Sequence, residues 1–288
     1  MNFSYFIFAW IASFAFGLAT IIGKLTSKYS ISNPWLFTFS WYLLSFLLTV
    51  PIALFYQSGF PQSWFWVIVN GFVIALVNIF LVLAMYNLDV TILSPLFNFR
   101  TVFTAILAAI FFKEILTGWQ YVLIIIIVIA GVFASIDEKA KLSNFFSKKI
   151  LIGLICMLML AISSLITKQS ILINGYWTSL LWSGIFGMVF LIPTYFKFAK
   201  DVLITPIRDY VGVATMTLVG SVATLAANFS YTGNVTISTA IISLPISMFI
   251  AIALSRFNPK LLEKHSAKVY VIRLIAASVM ILGAYKLN

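Results

Sequence analysis

The stretch Val90–Glu114, VTILSPLFNFRTVFTAILAAIFFKE, decides how the chain is read. Roughly 20 residues in a helix cover about 30 Å of hydrocarbon, so this run is long enough to cross a bilayer. Arg100 stands near its middle. A cation at that depth costs at least about 2.5–3.5 kcal/mol on insertion scales, so it has to face a bundle interior or a wet cavity. A second copy, VTISTAIISLPISMFIAIALSRFNP, runs from Val235 to Pro259.

Around these two stretches lies a chain of 288 residues, 62% hydrophobic and 9% charged. Soluble domains carry about 25% charged residues. The expected fold class is therefore all-α, a polytopic membrane protein. Alternating segments of about 10 residues, which a membrane barrel needs, are too few. The net charge of +11 would point to nucleic acid in a soluble protein. Here the cations sit mostly in loops beside apolar spans, so membrane orientation accounts for them and no nucleic-acid partner is expected. The single cysteine, Cys156, lies within an apolar span and implies neither disulfide nor metal. The run beginning near Tyr5 has no basic segment before it and no small-residue cleavage site, so it reads as a first spanning helix.

Ten apolar spans are expected: 5–24, 34–56, 64–86, 90–112, 119–136, 150–173, 177–196, 210–231, 235–257 and 267–285. The halves repeat. Val90-Thr91-Ile92 and Tyr86 recur 145 residues on as Val235-Thr236-Ile237 and Tyr231. Trp35 and Pro51 recur 142 residues on as Trp177 and Pro193, and Lys24 is matched by Lys168. The unit is five spans, giving a first repeat over 1–138, a polar linker over 139–149 and a second repeat over 150–288. An odd unit enters the membrane from the opposite face in its second copy. Two inverted five-helix repeats follow, a plan typical of secondary transporters with a substrate site near the midplane.

Thirteen of the 18 Lys and Arg residues fall in odd-to-even connections, three on the opposite side, and Arg100 and Arg273 within spans. The positive-inside rule then places both termini outside a multi-pass protein of the plasma or inner membrane.

The fourth span resembles the drug/metabolite transporter superfamily, in its EamA-like branch. The resemblance rests on Val102-Phe103-Thr104-Ala105, then Glu114, Gln120 and Ala130-Gly131-Val132. In the second half Pro245 matches the family proline and Gly283 the closing glycine, whereas Thr101 stands where the first half would carry proline, and Asn258 where the second would carry glutamate. What the resemblance implies is a ten-span exporter or exchanger of small metabolites. Many relatives place both termini in the cytoplasm, opposite to the orientation that the lysine count gives.

Several residues are candidates for a substrate site. Arg100 has a planar fork suited to a carboxylate or phosphate; its structural alternative is satisfaction by helix carbonyls or by Asn98. Asn98 beside it is itself a substrate-binding candidate, and Asn78 and Asn228 are amides within spans, able to bind substrate or to bridge helices. Trp41 and Trp182 lie deep enough to line a pocket or simply to pack. Lys24, Lys168, Tyr86 and Tyr231 sit at span ends as interface anchors, or as gates at the two mouths. None of the seven acidic residues is expected near the midplane. That argues against a cation/proton antiporter and for a carrier of neutral or anionic metabolites. The only histidine, His265, lies in a polar connection, and there is no nucleophile set, phosphate loop or metal-ligand cluster. No enzyme activity and no cofactor are expected; the partners are a small-molecule substrate and the bilayer. A lipid flippase or scramblase is the rival reading. The sequence leaves oligomeric state open.

Overall fold

A computed structural model describes residues 3–113, 116–134, 148–257 and 267–286. Glu114, Asp137, Glu138, Asn258, Glu263, His265 and most of the expected linker lie outside the described residues, as does the side chain of Arg273.

Every described element is a helix or a turn. The first five helices are α1 (Phe3–Tyr29), α2 (Pro34–Phe55), α3 (Trp64–Asn87), α4 (Val90–Phe111) and α5 (Gly118–Ala134). Then come α6 (Lys148–Asn174), α7 (Tyr176–Leu191) with a 3-10 turn over Ile192–Lys197, a short α8 (Ala199–Ile204), and α9 (Val211–Tyr231). The chain closes with α10 (Val235–Ile242), α11 (Ile246–Phe257) and α12 (Ala267–Tyr285). Local chemistry sets several starts. Asn33 Oδ1 accepts from the Trp35 and Leu36 amides while Pro34 takes the first helical position, where no donor is missed. Asn234 caps α10 in the same way, through the Ile237 amide at 2.8 Å.

Among the described residues eight stretches are long and apolar enough to cross a membrane. The expected count of ten exceeds these by α5 and α12, which pack against each other. The outward faces are apolar: Trp119, Val122, Ile125 and Ile129 of α5 are exposed, as are Phe14 and Leu18 of α1. Ser94, Asn98, Thr101, Thr104, Thr236, Ser238 and Thr239 are buried instead. That inversion suits a chain whose solvent is lipid.

One expectation needs correction. Span nine is not one helix: it breaks at Ser243-Leu244-Pro245 into α10 and α11. Pro245 has no amide hydrogen to continue the ladder. The freed groups are met locally, with the Leu244 amide donating to Ile241 and the Ile246 amide to the Leu244 carbonyl. Irregular backbone at membrane depth is tolerated when it is enclosed by protein, and Ser243, Leu244 and Ile246 are buried.

α1 lies along α9, and α6 along α3. α4 packs on α6, and α10 and α11 pack on α1. α2 meets α7, and α5 meets α12. Glycine permits a close crossing of α3 and α7. A Cβ at Gly71 of α3 would stand 2.8 Å from the Gly187 amide nitrogen and 2.9 Å from the Ser183 carbonyl of α7. Backbone cannot swing aside as a side chain can. Gly71→Leu is therefore expected to destabilise the fold by at least about 1–3 kcal/mol, read as a lower unfolding midpoint in detergent. Gly59→Ala, in open space, should match the wild type.

Candidate functional site

The broken helix opens onto a cavity of about 580 Å³, counting its mouth. α1 contributes Ser13, Phe16, Gly17 and Thr20, α3 Leu81 and Met85, and α4 Phe97 and Arg100. Leu160 of α6, Met216 of α9, and Ile242, Leu244 and Ser247 at the break complete it, with Trp41 entering from α2. Most of this wall is apolar. Its polar groups are few, the usual composition of a small-molecule site.

Among the described residues Arg100 is the single formal charge on the lining, and it is only 5% exposed. Its guanidinium donates to the Tyr231 hydroxyl, and its central carbon lies 5.8 Å from the centre of the same ring. Tyr231 ends α9, so this contact joins the two halves. The Arg100 Nε–H is buried with no hydrogen-bond partner among the described residues. A guanidinium offers five donors in a fixed fork, and here one edge is left for an acceptor. Ser13 Oγ, 1% exposed on the same lining, also has no partner there. Leaving such a group unmet costs about 1–3 kcal/mol.

α4 is stitched to both sides of the break. Ser247 Oγ donates to Ser94 Oγ at 2.8 Å, and Thr101 Oγ1 to the Thr239 carbonyl at 3.5 Å. These bonds fix α4, and with it Arg100, against α10 and α11.

The other candidates scatter. Trp41 joins Arg100 on the cavity wall. Asn98 is fully buried but lies off the lining. Asn78 donates to the Ile74 carbonyl of its own helix at 2.8 Å. Asn228 lines a different cavity, between α2, α3, α6, α7 and α9. Trp182 donates Nε1–H to the Gly59 carbonyl at 2.9 Å and packs against Phe60 and Trp64. Tyr86 donates its hydroxyl to the Ile31 carbonyl.

The two lysines share one geometry. Lys24 Nζ donates to the carbonyls of Met85 and Leu88, at 2.9 and 2.7 Å, where α3 ends. Lys168 Nζ donates to the Gly233 carbonyl at 3.0 Å, just beyond α9. Leu88 and Gly233 are 145 residues apart, the offset of the repeat. An ammonium among the last carbonyls of a helix satisfies orphan acceptors and opposes the negative end of the dipole.

Sequence reading missed three things: the Arg100–Tyr231 pair, the unmet Ser13, and Asn70, whose amide bridges Ser183 and Thr167 at 3.0 Å each. Asn70, an amide inside an apolar span like Asn78, carried a signal that could have been used. Among the described residues no three His, Cys, Asp or Glu side chains gather as a metal site would require.

Residues 3–136 match the EamA-like transporter family, as the fourth-span resemblance implied and consistent with the drug/metabolite transporter superfamily. The chain is thus a multi-pass membrane protein with a transporter-family region. One solved crystal structure superposes with a TM-score of 0.61 over 95% of this chain and 94% of its own, at 13% identity, a likeness of fold alone. No curated protein matches the chain.

Lys24→Met should remove both carbonyl bonds while keeping the stem. Charge-assisted bonds of this kind contribute about 1.5–3 kcal/mol, so the unfolding midpoint in detergent is expected to fall. An unchanged midpoint would show that the clamp adds no stability.

Proposed function

We propose, from the EamA-like transporter region at residues 3–136, that the protein is a secondary carrier of small neutral or anionic metabolites, amino acids among them. It works by alternating access around the Arg100 cavity. The observation that carries this reading is the Arg100 guanidinium, buried on a cavity wall with its Nε edge unclaimed. A carboxylate there would receive a charge-assisted bond, and the apolar wall would hold the remainder of the substrate. No described carboxylate lines the cavity, which favours an anionic over a cationic guest.

The sequence duplication supports two five-helix repeats, 1–138 and 150–288, joined by the 139–149 linker. The pairing of α1 with α9 and α6 with α3 supports the same division. Rocking of one half against the other would expose the cavity to each side in turn. The break at Ser243–Pro245 belongs to the kind of discontinuous helix from which such midplane sites are built.

The test is uptake into proteoliposomes holding the purified chain, with labelled amino acids, dicarboxylates and sugar phosphates. Saturable uptake of one class is expected, reduced at least tenfold in Arg100→Ala although the variant inserts and elutes as the wild type does. Survival of every uptake in Arg100→Ala would sink the assignment. Labelled-lipid movement with no solute uptake would favour a flippase instead.

Orientation has its own test. The count of Lys and Arg places the α2–α3 connection outside and the α1–α2 connection in the cytoplasm. In a Cys156→Ala background, Gly59→Cys should react with an impermeant maleimide on intact cells, and Lys28→Cys only after lysis. The reverse pattern would invert the topology.

A further inference from the structure

A second cavity, about 640 Å³ with its mouth, lies between α2, α3, α6, α7 and α9 and shares no lining residue with the first. Along α3 the nearest lining residues of the two, Ile74 and Leu81, stand seven positions apart. That separation is about 10 Å of helix rise, whereas on α2 the two linings meet at the consecutive residues Trp41 and Tyr42.

One wall is already built. Thr167 Oγ1 donates to Asn70 Oδ1 and Asn70 Nδ2 to Ser183 Oγ, both at 3.0 Å, tying α6, α3 and α7 together. These three side chains are at least nine-tenths buried. Ser170 Oγ donates to Ser179 Oγ behind the same wall, also at 3.0 Å. The opposite wall is α9, and it is unspent. Ser221 Oγ is buried with no hydrogen-bond partner among the described residues. Asn228 lies on the same lining, about two turns further along the helix, and Thr224 lies between them. Phe46 and Tyr176 add ring surface.

No described lining residue carries a formal charge. An ionised guest would lose its hydration with no counter-ion to replace it. An uncharged guest escapes that cost. Hydroxyls, each both donor and acceptor, suit Ser221, Thr224 and the Asn228 amide, and the rings suit an apolar C–H face. A site built to hydrogen-bond such groups rejects analogues lacking them, because its own polar atoms then stay unmet.

We infer that this cavity is a second binding site, selective for an uncharged polyhydroxyl solute of the sugar or polyol class. The inference goes beyond the Arg100 reading and stands independently of it.

The test is scintillation-proximity binding of radiolabelled glucose and of sorbitol to the full chain in nanodiscs. Saturable binding of at least one is expected, displaced by the unlabelled compound and at least tenfold less well by gluconate or glucosamine, which add a charge to a similar frame. Asn228→Leu should weaken binding at least tenfold. Thr224→Val, at an exposed position, removes only a hydroxyl and should weaken it severalfold even if Asn228→Leu proves unstable. Absence of saturable binding by both probes, equal displacement by gluconate, or full retention in a monodisperse Thr224→Val protein would overturn the site. The Arg100 reading is judged on anion uptake, so either proposal can fail alone.

Discussion

A guanidinium cannot sit alone in hydrocarbon, and much of this fold can be read as the arrangement that lets Arg100 stay. Tyr231 brings a hydroxyl and a ring face from the other half. α4 turns Ser94, Asn98, Thr101 and Thr104 inward at helical spacing, all buried. That stripe meets α10, where Thr236, Ser238 and Thr239 are buried in turn. Two polar helix faces pressed together exclude lipid from the cation. The association needs no hydrophobic drive, because lipid tails already solvate the outer surfaces.

Two cavities of different electrostatic character follow. One is apolar with a single cation beside a broken helix. The other is neutral and rich in hydroxyls and amides. Both draw on α2, α3, α6 and α9, so each of those helices carries two unlike stretches. α9 offers Met216 to one cavity and Ser221, Thr224 and Asn228 to the other. A rearrangement that shifts α9 against α3 would change both spaces together.

Much of the architecture was legible in the sequence because its signal is one-dimensional. Apolar length marks helices that span, and Arg100 in an apolar run marks an interior. What escaped depends on rotation and neighbours. Asn78 and Asn70 look alike in sequence, but Asn78 turns back to its own helix whereas Asn70 faces α6 and α7. Tyr231 sits at a span end, where belt tyrosines are common, yet only 4% of it is exposed. The break at Pro245 could have been anticipated less readily. Pro51 lies inside α2, near its end, and the helix continues past it. In Ser243-Leu244-Pro245 burial on every side removes any lipid that would penalise an open ladder, so the chain is free to unwind there.

In the register that aligns Val90 with Val235, Arg100 corresponds to Pro245, one residue before Thr101, which holds that place in the family pattern. One stretch supplies the cation and the other the interruption beside it. The resulting pocket is a division of labour. A gene that doubled the first stretch would bring two cations together and no break; one that doubled the second would bring two breaks and no cation. Neither product could rebuild this pocket, so the two ends of the chain have lost the freedom to stand in for each other.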